Sequence, residues 1–153
     1  MIKVGIGYDC SGEALALELK EHLKDIYTST SEHLDFIVRG PWVPNSDEKF
    51  VMFGSKIGRA LTKREIDFGI VISEFGSDIC MAANRWVYCR AALCHDTDTA
   101  SYSRKLFNAN TLALSARTTD YDSAIEIADV FFNTEYDKNL ENDILVSQLT
   151  IIR

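Results

Sequence analysis

The stretch that most constrains this chain is Asp67–Arg85, DFGIVISEFGSDICMAANR. Phe68 to Ile72 is a short apolar run rich in β-branched residues, which predicts a strand buried on both faces. Ser73 to Asp78 is polar and contains Gly76, and Ile79 to Asn84 is compact and compatible with a helix. The chain is therefore expected to leave a central strand, turn sharply and start a helix. In an open parallel α/β sheet such turns hold ligands, because the helix amides point into the crevice at the strand ends. Ser77 and Asp78 are the expected caps of that helix. The alternative is an ordinary strand-to-helix turn, since a fold does not by itself specify a function.

The rest of the chain repeats this alternation. Ile2–Gly7 reads as a buried first strand, followed by the turn Tyr8–Gly12. Ala14–Ile26 carries Leu15, Leu19, Leu23 and Ile26 at helical spacing. Leu34–Val38 is a second strand, and Arg39–Asp47, which holds Pro41 and Pro44, is expected to be loop. Glu48–Thr62 is a helix with Phe50, Phe53, Ile57 and Leu61 on one face. Tyr88–Cys94 is a fourth strand ending at His95, and Asp96 or Thr97 caps a helix to about Phe107. Thr111–Leu114 is a short fifth strand, with helices at Asp122–Phe132 and Leu140–Ile151. Strictly alternating elements call for a parallel sheet with right-handed crossovers and helices on both faces.

The length of 153 residues fits one domain, spanning 1–153, with a full core. A net charge of −7 argues against nucleic acid as the main partner. No apolar run approaches the ~20 residues that span a membrane, and the chain opens directly on a strand without a signal-peptide pattern. Cys10, Cys80, Cys89 and Cys94 form no C-x-x-C pair and no zinc spacing, so reduced thiols and a cytoplasmic location are expected.

The strand ends collect the chemistry. Gly5, Gly7 and Gly12 have the wrong spacing for a dinucleotide fingerprint. Asp9 is read either as an orienting group for a substrate hydroxyl or as a helix cap, and Cys10 either as an activated thiol or as packing. Ser73 needs a partner base, and no obvious one is visible. Glu74 is the only carboxylate expected to point into the central crevice, where it would serve as general base or stay solvated. His95 is a candidate acid/base or a structural residue, while His22 and His33 are expected at the surface.

The segments IGYDCSG, SEFGSDICMAANR, RAALCHDTDTASYSR, NANTLALSAR and FFNTEY resemble the sugar-phosphate isomerase family of ribose-5-phosphate isomerase B and galactose-6-phosphate isomerase. The resemblance covers almost the whole chain. It implies a Rossmann-like three-layer α/β/α sandwich with five parallel strands. It also implies a homodimer or tetramer with active sites between subunits, a phosphorylated sugar as partner, and no metal or organic cofactor. Family members interconvert aldose and ketose phosphates by moving a proton between C1 and C2 through an enediolate held by backbone amides.

Residue by residue, the resemblance also exposes departures. The family's S-D-H-A-G is Tyr8-Asp9-Cys10-Ser11-Gly12, so Cys10 replaces a phosphate-side His. The loop C-G-T-G-I-G is Ser73-Glu74-Phe75-Gly76-Ser77-Asp78, so Ser73 stands where the catalytic Cys is, and Glu74 and Asp78 replace glycines. The ring-opening His falls on Leu106, its Asn neighbour on Phe107, and the Tyr of D-Y-P on Phe50. The late arginine segment is replaced by DKNLEND, Asp137–Asp143, leaving Arg117 as the expected phosphate ligand and Lys138 as a partial substitute. The residues and the resemblance together make Ser73, Glu74 and Asp9 the candidate catalytic positions, and Cys10, Phe75, Gly76, Ser77, Asp78, Asn108 and Arg117 the candidate substrate contacts. The chain looks closest to the A-type subunit of galactose-6-phosphate isomerase, which lacks the Cys and works with a Cys-bearing homologous subunit in a hetero-oligomer.

Two functions compete on this reading. The first is isomerisation of a sugar phosphate, completed by a second subunit or by altered chemistry on Glu74 or Asp9. The second is a catalytically degenerate isomerase fold with a binding or regulatory role. A flavodoxin- or receiver-like module is disfavoured, because the third strand ends in Ser73 with no phosphoacceptor arrangement.

Overall fold

The computed structural model describes residues 1–28, 34–40 and 50–151. Five strands, β1 (Ile2–Tyr8), β2 (Leu34–Arg39), β3 (Phe68–Ser73), β4 (Ala91–Leu93) and β5 (Thr111–Ser115), form one parallel sheet in the order β2-β1-β3-β5-β4. Between and after them lie α1 (Glu13–Thr28), α2 (Phe50–Thr62), α3 (Ser77–Ala83), α4 (Thr97–Phe107), α5 (Tyr121–Asn133) and α6 (Leu140–Ile151). The strand order reverses between β1 and β3. The crevice at their carboxyl ends is where an open sheet of this kind receives a ligand.

Two-residue alternation sorts the sheet's side chains into two cores. Val4, Ile6, Ile70, Ile72, Leu112 and Leu114 face one side, with Leu15, Leu19 and Leu23 of α1 and Ile127 and Phe131 of α5. Val71 and Ala113 face the other, with Phe53 and Ile57 of α2 and Ile79 and Ala83 of α3. The helical apolar spacing of α1 and α2 is what fills these layers, and the three-layer α/β/α sandwich results.

The structure moves several boundaries. β1 runs on through Tyr8 and β2 through Arg39, and the proline-bearing segment 41–49 lies outside the described residues, as does His33. β3 extends to Ser73 and β5 to Ser115. The fourth strand starts at Ala91, not Tyr88. Tyr88 and Arg90 bond instead to Asn110, whose side chain donates to the Tyr88 carbonyl (2.7 Å) and accepts from the Arg90 N–H (2.8 Å). Of the two proposed caps for α4, Asp96 is the one used, in a reciprocal capping box with Thr99.

The caps expected for α3 do not form. Gly76 is its N-cap, at φ 76°, and Ser77 and Asp78 fall within the first turn. A Cβ on Gly76 would lie 2.8 Å from the Leu114 carbonyl oxygen, so the left-handed backbone and the close approach both require glycine.

Two outcomes follow from this packing. Phe131 is fully buried between the sheet and α5, so Phe131→Ala is expected to lower unfolding free energy by about 3–5 kcal/mol in urea titrations. The thiols of Cys80, Cys89 and Cys94 are each pushed up to about 11, chiefly by burial. They are expected to resist a thiol reagent at pH 8 until the protein unfolds. Because the unfolded chain then loses thiol protons at lower pH than the folded one, these groups make stability fall as pH rises from 9 towards 11.

Candidate active site

The alternation that builds the cores also aims Ser73. Ile72 points to the α1/α5 side, so Ser73 points to the α2/α3 side and is fully buried. A buried hydroxyl must be hydrogen-bonded. Its Oγ accepts the Gly76 N–H at 3.0 Å and donates to Oδ1 of Asp78. Asp78 Oδ1 also accepts the Ile79 N–H at 2.8 Å. The partner that sequence reading did not find for Ser73 is therefore Asp78, five residues on in the first turn of α3. Asp78 is half-buried, and its charge is close enough to act on Asp9 at the end of β1.

Asp9 closes the other wall. Its N–H donates to the Ile72 carbonyl (3.2 Å), continuing the β1–β3 pairing. Its Oδ1 accepts from Ser11 N–H (3.0 Å) and Gly12 N–H (3.1 Å), capping the 3-10 turn Cys10–Gly12. Of the two readings of Asp9, the cap is thus realised. Loss of water around the carboxyl raises its pKa, and the Asp78 charge adds to this, against the pull of the Gly12 and Ser11 amides. Asp9 and Asp78 therefore sense each other across the crevice. Cys10 is half-buried in the capped turn, and no disulfide involves any of the four cysteines.

Glu74 is exposed and pairs with Arg117, Oε1 to Nη1 at 2.8 Å. The Glu74 carbonyl accepts the Ser115 hydroxyl (2.8 Å) and the Arg117 N–H (3.0 Å), tying the loop after β3 to the end of β5. The Arg117 guanidinium also lies 5.4 Å from the centre of the exposed Phe75 ring. Asp9 and Asp78 join Glu74 at the strand ends, so Glu74 is not the lone carboxylate there.

Two positions stay apart. Asn108 ends α4 in the left-handed conformation (φ 47°), its carbonyl accepting from Arg90 Nε (2.9 Å) and its Oδ1 from Arg104 (3.1 Å). Just beyond it, the Asn110 carbonyl accepts the Gly69 N–H at the start of β3. Asn108 is thus at the amino end of the strands, away from the crevice of its own chain. His95 is exposed past β4, its N–H on Thr99 Oγ1 at 3.2 Å.

Sequence reading missed three structural residues. Ser115 anchors the site loop. Asn84 Oδ1 accepts the Ala91 N–H (2.7 Å) while its Nδ2 donates to the Ala91 carbonyl (2.9 Å), covering part of the β4 edge. Buried Arg104 donates to the carbonyls of Thr134 (3.1 Å) and Ala109 (2.6 Å). A serine closing the apolar run TLALS was the one available signal, for Ser115.

With this geometry in hand, the chain can be set beside known proteins. It is 28% identical over 137 residues to ribose-5-phosphate isomerase B of Escherichia coli (strain K12), spanning 90% of this chain and 87% of that one. It is 31% identical over 97 residues to galactose-6-phosphate isomerase subunit LacB of Clostridium acetobutylicum, a match covering 63% of this chain and just over half, 56%, of that subunit. The structure of ribose-5-phosphate isomerase B from Clostridium thermocellum superposes with a TM-score of 0.88 at 32% identity, covering 97% and 95% of the two chains. The family model Ribose/Galactose Isomerase matches residues 4–149. The chain therefore belongs to the ribose/galactose isomerase family.

Proposed function

We propose that this protein interconverts an aldose phosphate and a ketose phosphate of five or six carbons, by proton transfer between C1 and C2. The observation that carries this reading is the crevice between β1 and β3, where Asp9 and the Ser73–Asp78 pair converge in the fold of a sugar-phosphate isomerase. No metal or organic cofactor is needed for such a transfer. Reduced thiols fit a cytoplasmic enzyme, and no helix among the described residues is long and apolar enough to cross a membrane.

The site is completed by a second chain, either a copy of this one or a homologous subunit. Two features support this. α6 packs against α4, with Asn142 buried and Leu145 and Val146 half-buried, yet leaves Leu140, Ile144 and Leu149 exposed. Within one chain, the Arg117 cation is already engaged by Glu74, and Asn108 lies at the far end of the strands. A phosphate dianion needs cations, so they come from across the interface or from release of Arg117. The second reading, a binding protein without turnover, is favoured by that same Arg117–Glu74 pairing.

Isomerisation of ribose 5-phosphate and galactose 6-phosphate, with exchange at C2 in deuterated water, separates these readings. Turnover by the chain alone, or mixed with a Cys-bearing homologous subunit, is expected. A folded oligomer that binds a sugar phosphate without exchange in either assay contradicts it and supports the binding role. The double variant Leu140→Glu/Ile144→Glu is expected to shift the mass in light scattering to a monomer and to abolish turnover. A variant that stays oligomeric argues against α6 as the contact.

A further inference from the structure

The proposed isomerisation needs a base beside C1 and C2, and the candidates weighed at the strand ends are Asp9, Ser73, Glu74 and Asp78. Each can be weighed on its own contacts. Ser73 has no exposed surface, so its hydroxyl does not touch a substrate. Glu74 extends outward and is held by Arg117. Asp9 spends Oδ1 on two backbone amides that fix the first turn, and its carboxyl also draws on the Glu74 backbone amide. Asp78 is less committed to the backbone. It is half-buried, and both of its hydrogen bonds, from Ser73 Oγ and Ile79 N, fall on Oδ1, leaving Oδ2 without a hydrogen bond among the described residues.

From this we infer that Asp78 is the catalytic base of the chain and that Ser73 is its positioning residue. The inference rests on the isomerase reading. The Gly76 N–H fixes Ser73 Oγ and Ser73 fixes Oδ1 of Asp78, which on this inference leaves Oδ2 to meet the reacting carbons. Asp78 takes the C2 proton of the open-chain aldose phosphate. The C2–H pair becomes the C1–C2 double bond, and the carbonyl π pair moves to O1. The O2 proton passes to O1. The pair left on O2 then closes the C2 carbonyl, as C1 takes back the proton held by Asp78. No external oxidant or reductant enters, and one carboxylate serves both half-steps. A Ser in place of a Cys is then not a lost base. It is the hydroxyl that orients a carboxylate placed where the family loop has glycine.

The test is C2 deuterium exchange and steady-state turnover of Asp78→Asn, in whichever form, alone or mixed, the unmodified chain is active, with the rate of any partner alone subtracted. Asn keeps the acceptor for Ser73 and the shape of the loop but cannot hold the proton. The inference predicts a fall in kcat of about 10²–10⁴-fold, with KM changed little. Asp78→Gly, which restores the family residue and so suits the backbone, is expected to lose as much. Asp78→Glu is expected to retain part of the exchange. Ser73→Ala is expected to lower kcat about tenfold or more at similar KM, which a purely structural role would not do. Exchange in the unmodified chain together with undiminished exchange in folded Asp78→Asn and Asp78→Gly overturns the inference and leaves the isomerase reading standing. No exchange by the unmodified chain, alone or mixed, overturns both.

Discussion

Burial of β3 on both faces governs the rest of this molecule. Ile70, Val71, Ile72 and Ser73 are all inaccessible to solvent, and three of them belong to the two cores that hold the helices on the sheet. Ser73 is the exception in chemistry but not in position. Carrying a hydroxyl into that layer costs about 1–3 kcal/mol unless it is bonded, so the chain immediately after it is constrained to supply partners. Gly76 supplies an N–H and Asp78 an acceptor, and both need the tight left-handed turn that only glycine tolerates at 76. The site is in this sense a by-product of satisfying one buried oxygen.

Electrostatics works on the same few residues. Asp9, Glu74 and Asp78 gather where an anionic substrate is expected, which is unfavourable by itself. Each is tempered differently: Asp9 by backbone amides and a raised pKa, Glu74 by Arg117, Asp78 by the Ser73 hydroxyl. The exposed Arg117–Glu74 pair contributes roughly 0–1 kcal/mol, so a phosphate can compete for that guanidinium at small expense. The apolar side chains that α6 leaves exposed, Leu140, Ile144 and Leu149, fit a site finished by a neighbour.

Much of the fold was legible in the sequence because it is written in periodicity. Leu15, Leu19 and Leu23 announce α1, and the apolar run from Phe68 announces β3. Asp96 followed by Thr99 announces the start of α4. What was not legible depends on tertiary context. Gly76 displaces Ser77 and Asp78 as the cap, because Leu114 presses on the turn from β5. The fourth strand starts late because Asn110 intercepts Tyr88 and Arg90. For the candidate site, the polar turn after the apolar strand was visible, but the pairing of Ser73 with Asp78 was not. Five residues separate them in sequence, and only the strand's alternation and the turn together bring them into contact. Arg117 was expected to be available for phosphate, yet it reaches Glu74, 43 positions away, because β3 and β5 are neighbours.

The most direct test of this account is a crystal structure of the protein with a sugar-phosphate analogue of the enediolate, such as a phosphorylated hydroxamate. The account places its C1–C2 end at the carboxyl ends of β1 and β3, about 3–3.5 Å from the Asp78 carboxylate, with the phosphate against cations of a second chain or a released Arg117. An analogue bound elsewhere, or bound here with Asp78 turned away and a different group at C1–C2, would contradict it.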